Sequence, residues 1–164
     1  MTGDDVARIA RSLHIMPWEF TAAVRCEEPS EHGFALDRSA KRYRLALLRT
    51  FTKKSPDPAC TFLFRLRDGT ARCGLGEGRP APCKTFPLVV RGGAVSLEPA
   101  GCTCAWDDVE LGEGDGNLLI DEHAARRRYR EVVAAWNRYV ADLEPPLRVK
   151  LHDFGRYLLE TYPP

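Results

Sequence analysis

The chain has 164 residues, a formal net charge of +1 at pH 7, and 44% hydrophobic and 29% charged residues. This length supports a core without disulfides, so we expect residues 1–164 to form a single domain. A near-neutral charge provides no long-range field for nucleic acid, and no apolar run reaches the roughly 18 residues that a membrane span needs. We therefore expect no nucleic-acid partner and no membrane span.

Two helices are predicted at the start of the chain. Thr2-Gly3-Asp4-Asp5 resembles a capping box, which predicts a first helix from about residue 4 to 13. Pro17 suits the first position of a second helix, which we expect to end near Cys26. The residues that recur at helical spacing on the first helix are Val6, Ile9, Ala10 and Leu13.

Strands and two short hairpins are predicted in the middle of the chain. Alternating apolar residues over 42–47 predict a half-buried strand, and Pro56 and Pro58 are expected to close this stretch. Asp68-Gly69 and Gly92-Gly93 each favour a tight two-residue turn. The predicted hairpin strands are residues 62–66 and 70–73 around the first turn, and residues 86–91 and 94–98 around the second.

The second hairpin allows an inference about register. A two-residue turn puts Arg91 opposite Ala94, and the same register carried outward puts Cys83 opposite Cys102. Prolines near the far ends of both strands cannot donate ladder hydrogen bonds, so the pairing is expected to fray before it reaches the cysteines. The two thiols are still expected to be neighbours.

The last part of the chain is predicted to be helical. An acidic, glycine-rich loop is expected over residues 110–117, before a helix that Asp121 caps and Pro145-Pro146 stops. A final helix is expected from about residue 151 to 161, and the whole pattern predicts an α+β fold with two short β-hairpins framed by N- and C-terminal α-helices. The expected core faces are Tyr129, Val132, Val133, Trp136, Val140 and Leu143 in the longer helix, and Leu151, Phe154, Leu158 and Leu159 in the last.

The cysteines are the residues that point to a function. Five of the six lie within residues 60–104, in the spacing C-x12-C-x9-C-x18-C-x-C. Thiolates are the ligands that zinc and iron–sulfur clusters select, and glycines and prolines next to these cysteines let the chain turn tightly around a metal. The alternative is a set of buried structural thiols. The candidate metal ligands, carried by the hairpin region, are Cys60, Cys73, Cys83, Cys102 and Cys104.

Other residues near this pattern have two interpretations each. Cys26 stands apart, and is either a core thiol or an extra ligand. Arg79 and Lys84 flank Cys83, where they would neutralise an anionic metal site or else be solvated surface charges. Within the arginine run at 126–128 and 130, Glu122 with Arg126 and Arg127 with Glu131 are i, i+4 pairs, which favours a solvated helix face over a phosphate or nucleic-acid patch.

The segments around three of the cysteines resemble a known family. Cys60-Thr61-Phe62-Leu63, Arg72-Cys73-Gly74-Leu75 and the run from Arg79-Pro80-Ala81-Pro82-Cys83 to Lys84-Thr85-Phe86-Pro87 are similar to motifs of the YkgJ-like cysteine-cluster proteins. Those proteins are described as zinc- or iron-chelating. The resemblance covers roughly residues 2–105, and places Cys102 and Cys104 where the family has a further cysteine. It implies a metal site at these cysteines.

The family usually opens with a C-x-x-C-x-x-C-C cluster just before the first helix, and Met1 follows that point here. Two interpretations stay open: a reduced site drawn from the later cysteines, or a sequence that begins downstream of the natural start. The resemblance extends to flagellin lysine N-methylases, which are described as carrying an iron–sulfur cluster and using S-adenosylmethionine. It therefore also implies an enzyme that uses S-adenosylmethionine as a cofactor and a protein as its substrate.

Three functional hypotheses follow. The first is a cytoplasmic metal-binding protein that holds zinc or an iron–sulfur cluster, since no secretory leader is recognised and thiols stay reduced in the cytosol. The second is an iron–sulfur methyltransferase or redox enzyme that uses S-adenosylmethionine. The third is a partner-binding adaptor with structural zinc, whose contact surface is formed by the predicted helices 121–143 and 151–161.

Overall fold

A computed structural model describes residues 1–28, 30–52, 55–91, 94–97, 113–144 and 147–164. It confirms the α+β class, with helices at both ends and antiparallel strand pairs between them. The helices are α1 (Gly3–Leu13), α2 (Pro17–Phe20), α3 (Ala81–Thr85), α4 (Glu113–Asp142) and α5 (Leu151–Thr161). The strands are β1 (Thr21–Arg25), β2 (Tyr43–Leu47), β3 (Arg49–Thr52), β4 (Ser55–Cys60), β5 (Leu63–Arg65), β6 (Ala71–Cys73), β7 (Leu88–Arg91) and β8 (Ala94–Leu97).

The predicted capping box at the start of α1 is confirmed. The Asp5 N–H donates to Thr2 Oγ1 at 3.4 Å, and the Thr2 N–H donates back to Asp5 Oδ2 at 2.9 Å. These reciprocal bonds satisfy donors that a helix start leaves free, so the helix begins where the sequence predicts. Val6, Ile9 and Ala10 are buried, as their spacing requires.

The second helix is shorter than the sequence predicts. α2 ends at Phe20, and residues 21–25 form β1, which pairs with β2 along its whole length. The prediction of a helix that reaches Cys26 is wrong because β-branched Thr21 and Val24 suit a pleated strand, and β2 supplies the backbone partners that further helical turns would have supplied.

The remaining strands form antiparallel pairs, β3 with β4, β5 with β6 and β7 with β8. The first predicted hairpin is present, but the prediction of a two-residue turn is wrong: Arg65 pairs with Ala71, which leaves a three-residue turn over 67–69. Gly69 has a φ of 87°, which glycine adopts without strain. Pro56 and Pro58 do not close the preceding stretch, because both lie inside β4. Within the described residues this strand has β3 as its one neighbour, and a strand edge tolerates a missing N–H.

The register of the second hairpin is also confirmed. Arg91 lies opposite Ala94 and Leu88 opposite Leu97, as a two-residue turn dictates. Ahead of β7, residues 81–85 form the short helix α3, which the sequence analysis does not predict. The expected neighbour of Cys83 in this register, Cys102, lies outside the described residues.

Helix α4 begins at Glu113, so the prediction of a loop up to residue 117 and a cap at Asp121 is wrong. Leu119 is 5% exposed and extends the apolar face of the helix towards its start. This burial offsets the cost of about 1 kcal/mol for a glycine such as Gly116 inside a helix. Helix α5 spans the predicted residues. No helix in the described ranges is both long and apolar enough to cross a membrane.

The core forms where α1, α4 and α5 meet the β1–β2 pair. The ring of Phe154 in α5 stacks on that of Phe34, with centroids 4.1 Å apart, and lies 5.1 Å from the ring of Trp136 in α4. Aromatic contacts at these distances add to the free energy gained from burial alone. The buried core residues include Val6, Ile9, Phe20, Phe34, Leu45, Val133, Trp136, Val140, Phe154 and Leu158.

Helix α1 is also fixed to the end of α5. The Arg11 guanidinium donates to the carbonyl of Leu159 at 2.8 Å and to that of Tyr162. At the start of α1, a Cβ on Gly3 would lie 2.5 Å from Cε2 of Tyr162 and 2.9 Å from Cδ2 of Leu158. Only glycine allows the two helices this close approach.

Candidate metal centre

Three of the five predicted metal ligands lie on separate elements of the described structure. Cys60 is the last residue of β4, Cys73 is the last residue of β6, and Cys83 lies in the middle of α3. All three are free thiols; the first two are half-buried and Cys83 is exposed. The other two predicted ligands, Cys102 and Cys104, lie outside the described residues.

Strand pairing brings Cys73 towards Cys60. β4 leads directly into β5, where Leu63 is paired with Cys73. The N–H of Gly74 donates to the carbonyl of Phe62 at 2.7 Å, so the end of β6 lies along the segment that follows Cys60. The β3–β4 pair, which ends at Cys60, and the β5–β6 pair, which ends at Cys73, are therefore joined near these two cysteines.

Cys83 is close enough to the other two thiols for their charges to affect it. Its pKa is raised, first by partial burial and then by the negative charges that Cys60 and Cys73 carry as thiolates, and Asp5 acts in the same direction. Like charges at short range disfavour ionisation, whereas a cation favours it. The N-terminal ammonium acts in the opposite direction, and a metal ion bound beside the thiols would lower the pKa of Cys83 in the same way.

The chain turns sharply after Cys73, as the glycines predict. A Cβ on Gly74 would lie 2.1 Å from Cε2 of Phe64, so the aromatic ring lies directly against this backbone. Gly76 has a φ of 50° and opens a short 3-10 turn, Gly76–Gly78. This turn reverses the chain between Cys73 and α3.

Helix α1 holds the segment that enters α3. Arg8 donates from Nη1 to the carbonyl of Gly78 at 2.7 Å and from Nη2 to that of Arg79 at 3.2 Å. Oδ1 of Asp5 accepts the N–H of Ala81 at 3.0 Å and Nη2 of Arg8 at 2.9 Å. Asp5 is 2% exposed, so these bonds act in a low dielectric, where they are stronger than in water.

Helix α4 holds α3 from the other side. Thr85 donates from Oγ1 to Oε2 of Glu122 at 2.8 Å, and Oε1 of Glu122 accepts Nε of Arg126 at 2.8 Å. The sequence analysis treats the pair formed by Glu122 and Arg126 as part of a solvated face. That interpretation is wrong for Glu122, which is 6% exposed because α3 packs over it. Cys83 thus sits in a short helix anchored on two sides.

Asp5, Arg8 and Glu122 support the candidate site and were missed by the sequence analysis as site residues. The first belongs to a capping box, and the other two form ordinary helical pairs with local neighbours. Their partners in the α3 segment are distant in sequence: Asp5 and Ala81 are 76 positions apart, and Thr85 and Glu122 are 37 apart. No local pattern indicates such contacts.

The other candidates lie around the edges of this region. Cys26 follows β1, donates its N–H to the carbonyl of Arg42 at 2.8 Å, and lines an open surface cleft formed by residues 25–28, 30–31 and 39–42. Arg79 and Lys84 are half-buried, and both line a cleft of about 190 Å³ where α1, α3 and α4 meet.

In the part of the chain that the structure describes, no group of three or more Cys, His, Asp or Glu side chains is arranged to hold a metal ion. The three described cysteines are therefore electrostatic neighbours but not a formed coordination shell. Their chemistry fits the thiolate donors of zinc and iron–sulfur sites, which take four protein ligands. A complete cysteine set also needs a donor from outside the described residues.

No protein-family model matches the chain, and no curated protein or solved structure was found that matches it. The resemblance to YkgJ-like proteins therefore depends on the cysteine motifs and on the similarity of the helical segment upstream of them, residues 2–10 and 19–20.

Proposed function

We propose that this chain is a metal-binding protein in which Cys60, Cys73 and Cys83, together with Cys102 or Cys104, hold zinc or an iron–sulfur cluster. The observation that carries the proposal is the placement of three free thiols on three separate elements, β4, β6 and α3, with Cys60 and Cys73 within electrostatic reach of Cys83. A reducing compartment such as the cytoplasm suits this chemistry, because free thiols persist there.

The electrostatic effect of Cys60 and Cys73 on Cys83 favours a metal site over a set of inert core thiols. Inert thiols gain from apolar surroundings, whereas Cys83 is exposed and lies where two further thiolates would oppose its ionisation. A bound cation turns this repulsion into attraction, since each thiolate then faces positive charge. The same three residues belong to the motifs that resemble the YkgJ-like family.

The anchoring of α3 suits such a site. Asp5 and Arg8 fix the chain before Cys83, and Glu122 fixes Thr85 after it. When bound, the metal supplies a crosslink among β4, β6 and α3, and its binding free energy adds to the stability of the fold, on the order of 10 kcal/mol for a structural zinc. Residues already held in position lose less conformational entropy when they bind a metal.

The test is metal analysis of anaerobically purified protein. Zinc, iron and acid-labile sulfide would be quantified and the visible spectrum recorded for the wild type, for Cys83→Ser and for Cys26→Ser. The last variant is the matched control, because it removes a thiol that lies outside the proposed ligand set. We expect about one zinc or one cluster per chain in the wild type and in C26S, in line with a four-cysteine site.

Loss of the metal in C83S alone would support the site, and the spectrum would identify its occupant: an iron–sulfur cluster absorbs in the visible range and zinc does not. Absence of metal from the wild-type protein would refute the proposal. Equal metal content in C83S and the wild type would exclude Cys83 as a ligand.

A further inference from the structure

A second cavity, of about 290 Å³, lies between the loop after β1 and helices α3 and α4. It is lined by Ser30 and His32 from the loop, Arg44 from β2, Pro82 from α3, and Arg126 and Tyr129 from α4, with Met1, Thr2 and Leu45 completing its wall. Its volume is at the lower end of the range for small-ligand sites. None of the predicted metal ligands lines it.

Two residues that line this cavity each carry a buried polar atom without a hydrogen-bond partner. Nδ1 of His32 and the hydroxyl of Tyr129 are both buried and have no hydrogen-bond partner in the described structure. Tyr129 is only 3% exposed. An unpaired buried polar group costs about 1–3 kcal/mol, which a bound ligand would recover.

The cavity is also positively charged. The guanidinium of Arg44 makes no hydrogen bond or ion pair with any described residue, and no acidic side chain is among the lining residues. Arg126 binds Glu122 through Nε and Nη2, and its Nη1 has no partner among the described residues. Burial and the charges of Arg126 and Arg130 lower the pKa of His32, which Glu31 offsets in part.

The walls that carry the two unpaired atoms are held in place without a ligand. The loop that includes His32 is tied to α4, where Asn137 accepts the N–H of Ala35 at 2.7 Å and donates to the carbonyl of Gly33 at 3.0 Å. Nε1 of Trp136 adds a bond to the carbonyl of Ala35 at 2.8 Å. Tyr129 lies on the same helix, with its ring parallel to that of His32.

We propose that this cavity binds the phosphate group of a small ligand, with Arg44, Arg126, His32 and the hydroxyl of Tyr129 as its donors. The unpaired atoms can each donate a proton to an oxygen, the imidazole in the tautomer that carries hydrogen on Nδ1. Arginine is the side chain best suited to phosphate oxygens. The site does not depend on the proposed metal, since its donors lie outside the cysteine set.

Inorganic phosphate is the probe, titrated against chloride at equal ionic strength and against acetate. Binding would be followed by the NMR signals of the imidazole of His32, assigned with the variant His32→Gln, and by isothermal calorimetry. Tyr129→Phe removes the hydroxyl and keeps the ring, and Arg44→Gln removes the unpaired cation. Arg127→Gln is the matched control, because Arg127 is exposed on the same helix outside the cavity.

We expect a saturable shift of the His32 signals with phosphate, and Kd about tenfold or more weaker in Y129F and R44Q, since each loses a hydrogen bond to a charged group. R127Q should bind as the wild type does. Y129F should melt at the wild-type temperature or above it, because it deletes an unpaired hydroxyl. No saturable shift, equal Kd in all variants, or acetate binding as tight as phosphate would each overturn the proposal.

Discussion

Asp5 is the residue whose replacement tests how the fold holds the candidate metal centre. Its carboxylate accepts four hydrogen bonds: Oδ2 takes the N–H and Oγ1 of Thr2, and Oδ1 takes Arg8 and the N–H of Ala81. The variant Asp5→Asn keeps the size and shape of this side chain. It replaces one acceptor oxygen by an NH2 donor and removes the negative charge.

The expected cost follows from that geometry. If the new NH2 replaces Oδ1, Arg8 and Ala81 lose their acceptor, and if it replaces Oδ2, the N–H of Thr2 loses its own. A buried group left without a partner costs about 1–3 kcal/mol. The cost for Arg8 is smaller, because water can replace part of the lost hydrogen bond at its partly solvated guanidinium. We expect D5N to lower the free energy of unfolding by about 2–4 kcal/mol.

Urea unfolding of the wild type, D5N and Asp4→Asn measures this difference. Asp4 is exposed next to Asp5 in the same first turn, so its replacement changes the same charge near the same helix end. D4N should cost less than about 1 kcal/mol, the usual size of a helix-dipole effect. If D4N and D5N had equal midpoints, the buried network would contribute nothing measurable, and the reasoning would be refuted.

Four further variants test other parts of the structure by thermal or urea unfolding. Thr85→Val deprives the buried Glu122 of a hydrogen bond and should cost about 1–3 kcal/mol; an unchanged midpoint would contradict the anchoring of α3. Gly3→Ala should lose about 1–3 kcal/mol through overpacking against α5, whereas Gly116→Ala, which has open space around it, should gain up to about 1 kcal/mol. The pKa of His32 is lowered below its usual value of about 6.5, so the native state binds fewer protons than the unfolded state. Stability should therefore fall as pH decreases through about 6.5 towards the folded pKa, and His32→Gln should flatten that slope; an identical slope in both proteins would contradict it.

Features with short-range causes could be predicted from the sequence. The capping box of Thr2 and Asp5, the register that puts Arg91 opposite Ala94, and the bounds of α5 each depend on residues close together in the chain. In each case local hydrogen bonding or periodicity decides the structure, and no distant partner competes with it.

Features decided by distant partners could not be predicted. Residues 21–25 form a strand because β2 lies beside them, although they follow a helix start that would otherwise continue. Glu122 is buried because α3 covers it, and α3 itself is too short for any periodic pattern. The cysteine motifs indicated three thiols that lie on separate elements, β4, β6 and α3, but the anchors around Cys83 depend on tertiary packing.

The contact between α1 and α5 joins the two ends of the chain, so it can form only when synthesis is nearly complete. Arg11 and Leu159 are 148 positions apart, and ribosomes add about 5–20 residues per second, so α1 waits roughly 7–30 s for this partner. The β5–β6 and β7–β8 hairpins need only adjacent residues and close within microseconds of emerging. Until α5 arrives, the core that includes Val6 and Ile9 lacks Phe154 and Leu158, and incompletely covered apolar surface is the kind that chaperones bind.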